Sequence, residues 1–134
     1  IKAKGCGFLI HAGDLCSPFI ARMIRDSGIR HAAVFGNNDG DRVVLSKLVD
    51  IAPAPRHILI EEQDIVLFHE PFINDFIDPA RTDVLVYGHT HVSEAAHRGS
   101  MLIVNPGTVS GAISGIKSCA VYDTASREVE TIEL

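Results

Sequence analysis

Gly88-His89-Thr90-His91 follows directly on the apolar run Asp83-Val84-Leu85-Val86-Tyr87. Two imidazoles one residue apart, at the end of a buried strand, are costly to leave unpaired and well suited to gripping a metal ion. Other apolar runs end in the same way. Phe8-Leu9-Ile10-His11-Ala12 runs into Gly13-Asp14, His31-Ala32-Ala33-Val34-Phe35 into Gly36-Asn37-Asn38-Asp39, and Ile65-Val66-Leu67-Phe68 into His69. In open α/β sheets, ligands bind in the crevice beyond the carboxyl ends of the strands. Strands that all deliver Asp, Asn or His there describe one site.

Each candidate alone has a plainer reading. Gly13-Asp14 and Asn37-Asn38-Asp39-Gly40 are common turn chemistry, and His69 could be a strand-end histidine satisfied by a backbone carbonyl. Taken jointly these readings are poor, because Asp14, Asn37, His69, His89 and His91 would gather at one sheet edge for unrelated reasons. A metal ion supplies partners for all of them at once. His11, His31, His57 and His97 lie inside strands or near turns and read as structural or solvated. Carboxylate, amide oxygen and imidazole without thiolate suit Mn, Ni, Zn, Fe or Co, rather than a Cys-built zinc site. One Asp can bridge two cations, and a pair about 3.5–4 Å apart clamps the attacking and leaving oxygens of a phosphoryl transfer. The chemistry indicated is metal-assisted hydrolysis.

The elements that must position these residues begin with a strand at 8–12. Ser17-Pro18 opens a helix on which Phe19, Ile20, Met23 and Ile24 recur at helical spacing until Gly28. A strand covers 31–35. A second helix from Asp41 to Val49 carries Val44, Leu45 and Leu48 inward, and Pro53 and Pro55 break it. His57–Ile60 and Ile65–Phe68 form a hairpin turned by Glu62-Gln63-Asp64. Residues 71–80 are irregular or briefly helical, and a strand at 83–87 follows. From there Ser93–His97, Met101–Asn105, Lys117–Asp123 and Arg127–Leu134 read as consecutive strands of a meander. Alternating β and α followed by a meander predicts two sheets rather than one doubly wound sheet. The glycine-rich stretch from Asn105-Pro106-Gly107 to Gly115 reads as a loop approaching the site. It lacks the Gly-Lys-Ser/Thr ending of a P-loop.

At 134 residues and 46% hydrophobic, the chain is long and apolar enough for one domain with a real core. A net charge of -5 and a pI near 5.7 argue against a broad nucleic-acid footprint. They leave open phosphate esters held through metal. No apolar stretch approaches the ~20 residues of a membrane span. The three scattered cysteines, Cys6, Cys16 and Cys119, fit a reducing, cytoplasmic compartment. Phe72, Ile73, Phe76 and Ile77 are candidates for an apolar patch between copies of a homo-oligomer.

The ordered blocks Gly13-Asp14, Gly36-Asn37-Asn38-Asp39, His69 and Gly88-His89-Thr90-His91 resemble the second to fifth motifs of the calcineurin-like metallophosphoesterases. Asn105-Pro106-Gly107 resembles a loop of the family's small prokaryotic, YfcE-like phosphodiesterase branch. The resemblance implies an α/β, four-layer αββα sandwich of two mixed sheets with a binuclear site at the carboxyl ends of the strands. It implies that Asp14 bridges two divalent ions, Mn before the alternatives. Asn37, His69 and His89 would complete one coordination sphere, and His91 would belong to the other.

The family's opening strand, ending in Asp-x-His, has no counterpart here. Ile1-Lys2-Ala3-Lys4-Gly5 reads like the tail of a helix closing on glycine. The expectation is a single domain over residues 1–134 without its amino-terminal strand and part of the first helix. A second departure is Asn38, where many relatives carry a histidine that assists the leaving group. Asn38 can bind a phosphoryl oxygen but cannot act as a general acid near neutral pH.

The expected activity is therefore phosphodiester hydrolysis of a small molecule, by a metal-bound hydroxide attacking phosphorus in line and with Asn37 and Asn38 facing the substrate. The alternative is a non-catalytic, protein-binding scaffold of the same fold, like the retromer subunit. Retention of His69, His89 and His91 weighs against it.

Overall fold

A computed structural model describes residues 4–134, apart from the side chains of Ile73 and Asn74. The predicted helix tail at residues 1–5 falls largely outside that range. In chain order the elements are β1 (Phe8–His11), α1 (Pro18–Asp26), β2 (Arg30–Val34), α2 (Arg42–Leu48), β3 (Ile51–Ala52), β4 (Arg56–Ile60) and β5 (Gln63–Leu67). A 3-10 segment over Pro71–Phe76 precedes β6 (Val84–Val86), β7 (Ser93–Arg98), β8 (Met101–Pro106), β9 (Ser118–Asp123) and β10 (Glu128–Glu133). Among the described residues, no helix is long and apolar enough to cross a membrane.

The five-stranded sheet, in the order β4-β5-β6-β8-β7, is the centre of the molecule. Its middle strands β5, β6 and β8 are parallel to one another and buried on both faces. That explains their near-continuous Val, Ile and Leu content. Side chains alternate across the pleat. Ile65, Leu67, Val84, Val86, Leu102 and Val104 form the inner core with Ala12 and Val34. Val66, Phe68, Leu85, Tyr87 and Met101 form an outer core. By the same parity, His69 continues the inner row of Ile65 and Leu67.

A parallel three-stranded sheet, β1-β2-β3, faces that inner core, and α1 and α2 cover its other side through Leu15, Ala21, Ala33, Leu45, Val49 and Ile51. Burying a side chain such as Leu45 contributes roughly 1.5–3 kcal/mol. The antiparallel ribbon β10-β9 packs Ala120, Tyr122 and Val129 against the inner core. The layering is that of an αββα sandwich, with the 3-10 segment on one outer side.

Both helices start where expected. Ser17 caps α1 through Phe19 N at 3.2 Å, ahead of Pro18, and Asp41 caps α2 through Val44 N at 3.2 Å.

Several expectations need correction. The three-stranded sheet is parallel rather than mixed among the described residues. Ile51–Ala52, unassigned by the patterning between the second helix and Pro53, pairs with Ala33 and Val34 as a short strand. The β4–β5 turn is Glu61-Glu62, and Gln63 already pairs with Ile60. The carboxyl-terminal half is no simple meander, since β8 inserts parallel to β6 and puts β7 at the edge. On α1 the buried face is Ala21, with Ile24 beside it, whereas Phe19 and Met23 are 73% and 69% exposed. Small Ala21 lets the helix sit close to the sheet and turns the larger side chains outward. Of the expected apolar patch, Phe72 and Phe76 are exposed, while Ile77 packs on the outer core. The Ile73 side chain lies outside the described residues.

Candidate metal centre

The loops after β1, β2, β5 and β6 bring Asp14, Asn37, His69 and His89 into contact. His69 Nε2 lies 2.9 Å from Asn37 Oδ1, 3.3 Å from Asp14 Oδ2 and 3.2 Å from His89 Nδ1. His89 Nδ1 is 3.0 Å from the same Asn37 oxygen. The two rings meet edge to face, 5.0 Å between centroids. His69 is buried, while Asn37 and His89 are exposed at the mouth.

The other ring nitrogen of His69 decides the chemistry. Nδ1 lies 2.8 Å from Ala12 O, and a carbonyl can only accept. Nδ1 therefore carries a hydrogen, and Nε2 is the ring nitrogen that faces inward. Around it lie Asn37 Oδ1, Asp14 Oδ2 and His89 Nδ1.

Close approach of the loops requires glycine. A Cβ on Gly13 would overlap the His69 ring, and one on Gly36 would overlap the Asp14 carboxylate and backbone nitrogen. Asp14, His89 and His91 themselves lie at φ +57°, +66° and +61°. Non-glycine residues held in this region cost of order 1 kcal/mol or more each, and such strain clusters at functional sites.

Asp39 anchors this backbone from below. Its carboxylate, 4% exposed, accepts from Asp14 N at 3.1 Å, Cys16 N at 2.7 Å and Gly36 N at 2.8 Å. Sequence reasoning saw Asp39 only as a turn residue. Arg42 adds bonds to Gly36 O and Asp39 O and lies over the Phe35 ring. Asn38 donates to Asp14 from its backbone at 2.8 Å and from Nδ2 at 2.7 Å. Burial works against the Asp14 carboxylate. The two Asn38 bonds, with His69 and His89, outweigh it and hold the Asp14 pKa below its ordinary value. At Cys16, burial followed by Asp14 and Asp39 pushes the thiol up.

His91 stands apart from the contact cluster, with Nδ1 buried and unpartnered. The remaining histidines lie outside the contact cluster as well. His31 bonds Ile29 O and accepts from Asp50 N, and His57 faces Asp64 at 3.5 Å. His97 lines a shallow cleft with Ala95, Leu102, Arg127, Glu128 and Val129, none of which belongs to the cluster. His11 carries a second orphan Nδ1, and burial lowers its pKa.

As the side chains stand, no group of three or more His, Cys, Asp or Glu among the described residues is spaced to hold an ion. The donors touch one another instead. Their chemistry nonetheless fits a divalent cation. Carboxylate, amide oxygen and imidazole suit such an ion, His69 is fixed with Nε2 inward, and His91 offers an unsatisfied nitrogen.

Known proteins resemble this chain over most of its length. Residues 1–127 match the calcineurin-like phosphoesterase superfamily domain. The chain is 31% identical over 135 residues to phosphodiesterase MJ0936 of Methanocaldococcus jannaschii, covering 94% of this chain and 81% of that protein. It is 33% identical over 93 residues to phosphodiesterase YfcE of Escherichia coli K12, covering 68% of this chain and 50% of YfcE. A solved archaeal phosphodiesterase superposes with a TM-score of 0.91 at 26% identity, covering 99% of this chain and 86% of that one. Vps29 of Entamoeba histolytica, at 19% identity and a TM-score of 0.72, covers 95% of this chain and 82% of its own, and shares the fold. The chain belongs to the calcineurin-like phosphoesterase superfamily, a family of hydrolases.

Proposed function

We propose that this chain is a metal-dependent phosphodiesterase acting on a small phosphodiester. The observation that carries the reading is the convergence of His69 Nε2, Asn37 Oδ1, Asp14 Oδ2 and His89 Nδ1, with His69 Nδ1 committed to Ala12 O. Asp14, Asn37, His69 and His89 would hold one divalent cation, and Asp14 and His91 would hold a second, Mn before Ni, Zn, Fe or Co. Bound there, the cations would supply an activated water at neutral pH and neutralise charge developing on the phosphoryl oxygens.

The chain's own residues do the rest. Asp14, with its pKa depressed, stays a carboxylate well below neutrality and is available as a bridging ligand. Asn37 and Asn38 sit exposed at the mouth, where a substrate phosphate would arrive. Asn38 offers an amide but no transferable proton near neutral pH, so an expelled alkoxide leaves without a general acid from this position. Diesters with good leaving groups are favoured accordingly.

The test is an assay of bis(p-nitrophenyl) phosphate beside p-nitrophenyl phosphate and a simple alkyl monoester, with Mn added and after chelation. The diester should turn over fastest, and only with metal. Fastest turnover of the alkyl monoester, or equal rates after chelation, would overturn the reading.

A further inference from the structure

We infer that Asn105 is a positioning residue that fixes the His89 and His91 loop from behind, an inference that rests on the phosphodiesterase reading for what the loop does. Asn105 lies in β8 and is fully buried at 0% exposure. Its Nδ2 donates to Gly88 O at 3.0 Å and to Thr90 Oγ1 at 2.9 Å, and its Oδ1 accepts from Gly107 N at 3.0 Å. The two donated bonds land on the residues either side of His89. Thr90 N also donates to Gly88 O, at 2.8 Å, so that carbonyl receives two hydrogen bonds. The third bond ties the same amide to the loop leaving β8.

The loop needs such a hold. His89 and His91 both occupy the left-handed region, which persists only where surroundings over-determine it. His91 Nδ1 has no partner of its own, so no hydrogen bond at that nitrogen fixes the ring. Position 105 demands an amide. An Asp of the same shape has no hydrogen for Gly88 O, and its charge would face a carbonyl in a buried setting. An apolar residue would leave Gly88 O, Thr90 Oγ1 and Gly107 N short of a partner.

The whole chain is tested as Asn105→Asp, Thr90→Val and Thr90→Ser. Thr90→Ser keeps the hydroxyl and serves as the rescue. Readouts are thermal melting, the imidazole 1H–15N NMR signals of the metal-free protein, and calorimetric titration with Mn alone. Asn105→Asp and Thr90→Val should broaden or split the His89 and His91 ring signals while leaving His31 unchanged. Mn affinity should fall about ten- to a hundred-fold in Asn105→Asp, the usual range for residues behind a ligand, and less in Thr90→Val. Thr90→Ser should match the wild type in both. A folded Asn105→Asp with wild-type ring signals and Mn affinity overturns the inference. Where Asn105→Asp does not fold, identical ring signals in Thr90→Val and Thr90→Ser overturn it. Failure of the wild type to take up Mn would sink the phosphodiesterase reading alone, and the ring signals would still decide the role of Asn105.

Discussion

The imidazole of His69 donates to the backbone carbonyl of Ala12 at 2.8 Å, a bond that crosses from the five-stranded sheet to the end of the first strand in the three-stranded one. One side chain thus pins the two sheets together and aims Nε2 at Asp14, Asn37 and His89.

His69 and His89 should consequently differ in what their loss does. His69→Ala opens a cavity and strands the Ala12 carbonyl, at a cost of roughly 2–4 kcal/mol. His89 is exposed, and His89→Ala should change stability by no more than about 0.5 kcal/mol. Urea denaturation of both variants checks this. Equal destabilisation would show that His89 is part of the core architecture.

The two histidines of Gly88-His89-Thr90-His91 should separate in metal binding. His89 touches Asn37 and His69, whereas His91 stands outside that contact cluster. Titration with Mn or Ni should show His89→Ala losing the tighter phase and His91→Ala only the weaker. Equal loss from both variants would point to a single mononuclear centre.

Asp39 gives a third expectation. Its carboxylate takes hydrogen bonds from Asp14 N, Cys16 N and Gly36 N, all at 3.1 Å or less. Asp39→Asn turns an amide donor toward these donors, and loss of charged, buried bonds should cost about 2–4 kcal/mol. The urea midpoint should drop at constant slope, and Mn binding should weaken with it because the Asp14 backbone is no longer held. An unchanged midpoint would remove Asp39 from this role.

Sequence patterning carried the site further than it carried the topology. Asp14, Asn37, His69 and His89 were legible because each ends an apolar run, and parallel strands bring such ends to one edge. Asp39 reads only as a turn residue, and Asn105 only as the start of a loop approaching the site, because their bonds to Asp14, Cys16, Gly88 and Thr90 join groups distant in sequence. The insertion of β8 between β6 and β7 also escaped, since Met101–Asn105 has the same pattern whether it neighbours the preceding strand or an earlier one. The outward turn of Phe19 and Met23 was hidden for a related reason. Helical spacing says which residues share a face, while Ala21 decides which face sits against the sheet.

The last expectation concerns alkaline pH. Burial, followed by the hydrogen bond and charge of Glu94, pushes the Tyr87 hydroxyl up to about 12 against the opposing effect of Asn105. Burial, the largest effect at Tyr122, also raises that hydroxyl, despite Arg127. An unfolded tyrosine ionises near pH 10. Above about pH 10 the unfolded chain therefore releases protons that the folded chain keeps, and stability falls as pH rises through the window up to about 12. Below pH 10 this contribution is fully present. Tyrosinate absorbance should accordingly stay low at pH 10 while the fold is intact, and melting temperature should decline between about pH 10 and 12. Tyr87→Phe should melt lower at neutral pH, having left Glu94 without its donor, and decline less steeply in the alkaline range. A tyrosinate midpoint near 10 in the folded protein would show that neither burial nor the Glu94 bond keeps the Tyr87 hydroxyl protonated in solution.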